Sequence, residues 1–287
     1  MNAGRVVAAL VAMALALSTV TAQAQTDAPC EVSCVPLAVV LVGGFGTDLD
    51  GATAQFADLR NALIDRNPAT LIVQFSYLAT QFDGCRAHPL VYSSSDTAQD
   101  IQASIRILRE TLAGLEDACR PQRVVIIGHS LGGLIAFDAL DGPPLTHVSD
   151  LVTIDSPLGG VPERLIQTCI AIDFCPSGAV AAQLADLYGR SASLETDNAR
   201  RAGDLIQSGV QVSAWGSTGD CFYDVSLCAP IARVFVGQVD ARESQWFGMP
   251  DVVRKDYPVT KSLASIAVSH TAVLRVAAAE LATALSP

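Results

Sequence analysis

The run VVIIGHSLGG, Val124 to Gly133, constrains this chain more than any other stretch. Four β-branched apolar residues in succession read as a strand buried on both faces. The strand runs directly into Gly128-His129-Ser130-Leu131-Gly132, and a helix-compatible segment, LIAFDAL, follows. A serine at such a junction stands on a sharp turn that crowds the residues two before and two after it. Both are glycine, Gly128 and Gly132. The turn holds the hydroxyl clear of the backbone, where a base and a substrate can both reach it. G-x-S-x-G between strand and helix marks Ser130 as a candidate nucleophile.

The surrounding pattern alternates strands and helices. Apolar runs at Leu37–Val42, Leu71–Phe75, Arg123–Ile127, Leu151–Ile154, Val210–Trp215 and Arg233–Val236 read as strands. Helical spacing appears at Phe56, Leu59 and Leu63. It recurs at Ile101, Ile105, Leu108, Leu112 and Leu115, after a Ser95/Asp96 cap and before Pro121. A helix follows Ser130, and another closes the chain near Thr271–Leu285. This βαβ order predicts an α/β fold with a mainly parallel sheet and helices on both faces. From about 156 to 209 there are helical fragments but no strand, which predicts a helical cap insertion. Such an insertion would lie over the strand ends where folds of this kind bind ligands.

The N-terminus carries one early charge, Arg5, an apolar run from Val6 to Leu17, and then Ala22-Gln23-Ala24. This is the pattern of a signal peptide spanning 1–24, which predicts a secreted or periplasmic domain at 25–287. All eight cysteines follow it. Export favours disulfides, and local pairing gives Cys30–Cys34, Cys85–Cys119, Cys169–Cys175 and Cys221–Cys228. No Cys pair has a histidine at zinc-ligand spacing, so no metal is expected. A net charge of -11 argues against nucleic acid and anionic membranes as partners.

A serine nucleophile needs an oxyanion site, a base and an acid. One oxyanion donor is the Leu131 N–H, at the start of the helix. The loop LVGGFG, after the first strand, offers Phe45 N–H as the second. GGFG lacks the spacing and lysine of a phosphate-binding loop. There are four histidines. His129 abuts the serine and is read as structural. His88 and His147 come too early in the chain, and His270 stands at the last helix in VSHTAVLR. An acid between Ser130 and His270 in sequence would hold the imidazole tautomer. Asp220, in GSTGDCFYD past the strand Val210–Trp215, is the first candidate; Asp155 and Asp240 are rivals.

LVGGFG, VVIIGHSLGG, LVTIDSPLGG and VSHTAVLR together resemble the α/β-hydrolase superfamily, and within it the secreted bacterial lipases and esterases of the GHSLGG type. GSTGDCFYD resembles the acid loop of those enzymes, which supports Asp220. Gly43 departs from the pattern, because the family often has histidine there. The resemblance implies cleavage of carboxylic esters through an acyl-serine intermediate, with Ser130, Asp220 and His270 as the triad. It implies that no cofactor is needed and that the substrate is a small-molecule or lipid ester, with transient contact at a lipid surface. The cap, including Leu165, Ile166, Ile170 and Phe174, would shape the acyl pocket. Two alternatives stay open: acyl transfer to an alcohol by the same triad, and an inactive member of the fold acting as a binder.

Overall fold

Six parallel strands and two short antiparallel ones organise the chain. A computed structural model describes residues 35–143, 145, 147–171, 176–218, 253–258 and 266–285. The expected signal peptide, Asp220, Asp240, Phe174, the expected strand Arg233–Val236 and Cys30, Cys34, Cys175, Cys221 and Cys228 lie outside the described residues. The strands are β1 (Ala38–Val42), β2 (Leu71–Gln74), β3 (Thr80–Asp83), β4 (Arg86–Pro89), β5 (Val124–His129), β6 (Val148–Ile154), β7 (Gln211–Thr218) and β8 (Val253–Pro258). The helices are α1 (Leu49–Gln55), α2 (Ala57–Arg66), α3 (Ile101–Cys119), α4 (Leu131–Ala139), α5 (Glu163–Ala171), α6 (Ala179–Gly189), α7 (Ser191–Gln207) and α8 (Ile266–Ala284). No described helix is long and apolar enough to cross a membrane.

The large sheet has the order β2-β1-β5-β6-β7-β8, every neighbouring pair parallel. The chain goes outward from β1 to β2, then crosses to β5 on the other side of β1. Strand order therefore reverses between β1 and β5. Such a switch point opens a crevice at the C-terminal strand ends, where α/β sheets bind ligands.

Alternation along the strands divides the core in two. Val40, Val42, Ile126 and Leu151 face one layer, with Leu108, Leu112 and Leu115 of α3 and Ile135 of α4. Val39, Leu41, Val125, Ile127 and Ile154 face the other, with Phe56, Leu59, Leu63 and the α8 residues Val273, Leu274, Ala277 and Leu281. Covering both faces explains why β1 and β5 are apolar without a polar side. Helix α3 begins with Asp100, whose side chain accepts a hydrogen bond from Gln102 N–H at 2.7 Å. It ends at Arg120, whose φ of 44° breaks the helix before Pro121.

Helices α5, α6 and α7 stand between β6 and β7. Helix α6 is tied to the start of α3, because Ile101 N–H donates to Gln183 Oε1 at 2.9 Å. Helix α7 is tied to α4 through Arg201, which donates to Asp138 at 2.6 Å and lies over the Phe137 ring at 4.4 Å. Burial pushes the Asp138 carboxyl up, against the pull of the Arg201 charge. Removing one partner of a mostly buried ion pair leaves the other uncompensated. We therefore expect Arg201→Met to lose about 3 kcal/mol in urea unfolding, most of it regained when Asp138→Leu is added. An unchanged urea midpoint for the single variant would contradict this tie.

Candidate active site

Strand β5 ends at the switch point, and Ser130 follows as the N-cap of α4 with φ 55° and ψ −129°. Side chains rarely adopt this conformation, and holding it stores ~1–3 kcal/mol. Neighbouring backbone holds it in place. Ser130 N–H donates to Ile154 O at 2.8 Å, at the end of β6, and Ser130 O accepts from Gly133 N–H at 3.0 Å. The turn closes only because the backbones nearly touch. A Cβ on Gly132 would overlap the carbonyl oxygens of Val42 and Gly43, and one on Gly128 would overlap Gly133. Gly133 is a third such position, against Ser156. The G-x-S-x-G reading does not name it, since the neighbour it must clear comes from β6.

The loop after β1 packs against the serine. A Cβ on Gly44 would lie 2.8 Å from Ser130 Cβ and 3.3 Å from its Oγ. Phe45 follows, half-buried against the core. Among the described residues, neither Phe45 N–H nor Leu131 N–H makes a hydrogen bond.

That loop is fixed by groups no sequence motif announces. The fully buried Tyr77 donates its hydroxyl to Gly43 O at 2.8 Å. Burial, with Tyr92 beside it, raises the Tyr77 phenol well above its ordinary range, so it stays a neutral donor. The Tyr92 ring lies 5.3 Å from that of Tyr77, and burial pushes its phenol up to about 12. Gly46 N–H donates to Thr97 Oγ1 at 2.9 Å, and Thr47 Oγ1 donates to Gly44 O at 2.8 Å. Gly43, where the family often has histidine, is therefore held from outside the loop. Only the register of Tyr77 against Gly43, invisible before folding, could have revealed this.

The histidines separate by position. His129 is buried at the end of β5. His88 is exposed on β4, opposite Gln81. His147 is exposed at the other end of the sheet, where its carbonyl accepts Val124 N–H at 2.7 Å. His270 lies in the second turn of α8, which starts at Ile266 rather than near Thr271, so this residue does not open the helix. The C-terminal end of α8 is pinned at the start of β5, where Arg123 donates to Leu285 O at 3.2 Å.

Asp155 ends β6 with φ 42°, a left-handed conformation unusual outside glycine. It is fully buried, and its N–H donates to Trp215 O at 3.0 Å, tying β6 to β7. Asp220 follows the end of β7 by two residues and, with Asp240, lies outside the described residues. Ser130, Leu131, Phe45 and Asp155 are thus gathered at one edge of the sheet. Among the described residues, no group of three His, Cys, Asp or Glu side chains could hold a metal.

The close approach at Gly132 gives the sharpest test of this geometry. Gly132→Ala should lose ~3 kcal/mol or more in denaturant unfolding, since only backbone lies in the path of the new methyl. Wild-type stability would contradict it.

The sequence model of the alpha/beta hydrolase family matches residues 11–283. Among solved structures, the chain is similar to a lipase-esterase related protein from Clostridium acetobutylicum ATCC 824. The identity is 13%, over 87% of this chain and 93% of that one, with a TM-score of 0.47. It is similar to Bacillus licheniformis lipase BlEst2, at 12% identity over 88% and 91% of the two chains and a TM-score of 0.48. A third likeness is to a structure from work on carboxylesterases of the thaumarchaeon Nitrososphaera gargenis. There the identity is 15%, over 84% and 85%, and the TM-score is 0.44. No curated protein matches the chain. The chain belongs to the alpha/beta hydrolase family.

Proposed function

We propose that this protein is an exported serine hydrolase that cleaves carboxylic esters through an acyl-serine intermediate. The observation that carries the reading is the strained Ser130 turn, with Gly44 packed against its side chain and two uncommitted N–H donors beside it. A turn that stores conformational strain around a serine has little structural purpose but serves a nucleophile well.

In this mechanism Ser130 Oγ attacks the ester carbonyl as His270 takes its proton. The carbonyl oxygen becomes an oxyanion and is met by Phe45 N–H and Leu131 N–H. These donors are preorganised, so the charge is stabilised without rearrangement. His270 then passes the proton to the leaving alcohol. Water, activated by the same imidazole, releases the acid and restores Ser130. Asp220 orients His270 and stabilises its charged form. Its position in the sequence, two residues after β7, supports this role. Asp155 is the rival, buried next to the turn. Helices α5 to α7 form the cap that shapes the acyl pocket. The signal sequence at 1–24 directs export.

Ser130→Ala and His270→Ala should each lower turnover of a short p-nitrophenyl ester by ~10³-fold or more. A fluorophosphonate should label the wild type and not Ser130→Ala. Among Asp220→Asn, Asp155→Asn and Asp240→Asn, the first should be the most impaired. Near-normal rates in it would transfer the acid role to one of the others. Absence of both turnover and labelling in the wild type would favour a binding protein.

Tyr77→Phe removes one hydroxyl and frees the Gly43 carbonyl. Because the oxyanion loop acts on the transition state, kcat should fall ~10-fold with KM little changed. A change confined to KM would show that Tyr77 acts on binding instead.

A further inference from the structure

Cys85 and Cys119 are unjoined thiols that meet across two elements distant in sequence. Cys85 stands at the turn between β3 and β4, and Cys119 is the last residue of α3. Each sulfur reaches the peptide just before the other cysteine. Cys119 Sγ contacts Gly84 O at 3.5 Å, and Cys85 Sγ contacts Ala118 O at 4.0 Å. The Cys119 thiol also hydrogen-bonds to Cys85. The hairpin is seated firmly, since a Cβ on Gly114 of α3 would lie 3.2 Å from the Phe82 ring of β3. Each sulfur thus lies beside the backbone that carries the other cysteine.

We propose that Cys85 and Cys119 form a dithiol pair that closes to a disulfide, stapling the β3–β4 hairpin to the end of α3. The oxidant is a disulfide, either a small-molecule one or a protein oxidase of that class. Cys119 is fully buried, whereas Cys85 is partly exposed and meets the oxidant first. The Cys85 thiolate attacks one oxidant sulfur, whose S–S bond breaks. One oxidant thiol leaves with a proton, and a mixed disulfide remains on Cys85. Cys119 then gives up its proton and attacks Cys85 Sγ, releasing the second oxidant thiol. Two S–H groups are lost and one S–S bond is gained, with two electrons passed to the oxidant. Burial and the hydrogen bond to Cys85 push the Cys119 thiol up to about 12, which makes it a poor first nucleophile but does not bar attack on an adjoining sulfur.

The staple encloses the chain that carries Tyr92 and Thr97, which flank and hold the oxyanion loop. It thus fixes both ends of a segment whose middle is held by hydrogen bonds such as Gly46 N–H to Thr97 Oγ1. The bridge constrains the unfolded chain more than it alters the folded one.

The full chain, incubated with oxidised glutathione and then blocked with iodoacetamide, should be digested without reductant and mapped by mass spectrometry. The expected product is a Cys85–Cys119 linked peptide pair, lighter than the two free peptides by two hydrogens. Alkylation of both cysteines, or linkage of either to another such as Cys34, overturns the proposal. Under oxidising conditions Cys85→Ala should melt roughly 5–15 °C below wild type, and the gap should close when both are reduced. A gap that persists unchanged in reductant assigns the effect to packing and overturns the bridge.

Discussion

The structure depends on one close approach of backbone to backbone, where the start of α4 passes over the end of β1. Gly132 lies against the carbonyls of Val42 and Gly43 with no room for a methyl group. That contact draws the strand-to-helix turn onto the loop after β1, and the loop's Gly44 onto Ser130. The strain in Ser130 persists because both sides are held: β6 accepts its N–H through Ile154 and Gly133 donates to its carbonyl. Packed backbone cannot relax as side chains can, so a strained turn here stays strained.

Contacts further out reinforce this region. Tyr77 and Thr97 hold the loop after β1. Arg123 joins the starts of β5 and β6 to the end of α8 by bonding Asp150 at 2.9 Å and Leu285 O at 3.2 Å.

Much of this was legible before folding. The βαβ order, the buried strands β1 and β5 and the amphipathic face of α3 follow from period and composition, since doubly covered strands and one-sided helices leave different patterns. Ser130 was legible because its turn demands glycine at fixed offsets. Other elements were not. The β3–β4 hairpin has no apolar run to announce it, because its strands are short and neither has a buried residue. Strand β8, VRKDYP, is the last strand of the sheet among the described residues, and its charges and proline break the apolar run that marks a buried strand. The Tyr77 contact depends on register between strands, and Gly133 on a neighbour from β6. Neither relation is local in sequence. The acid is the residue least fixed by sequence logic: Asp155 and Asp220 both follow parallel strands, and both precede His270.

The central claim, that Ser130 becomes acylated, is tested most directly by rapid quenching during the first turnover of a p-nitrophenyl ester, followed by peptide mass analysis. The account predicts an acyl group on the peptide carrying Ser130, formed in step with nitrophenol release and lost as the acid appears. Nitrophenol release at the full rate with no adduct on Ser130, or with the adduct on another residue, would contradict it.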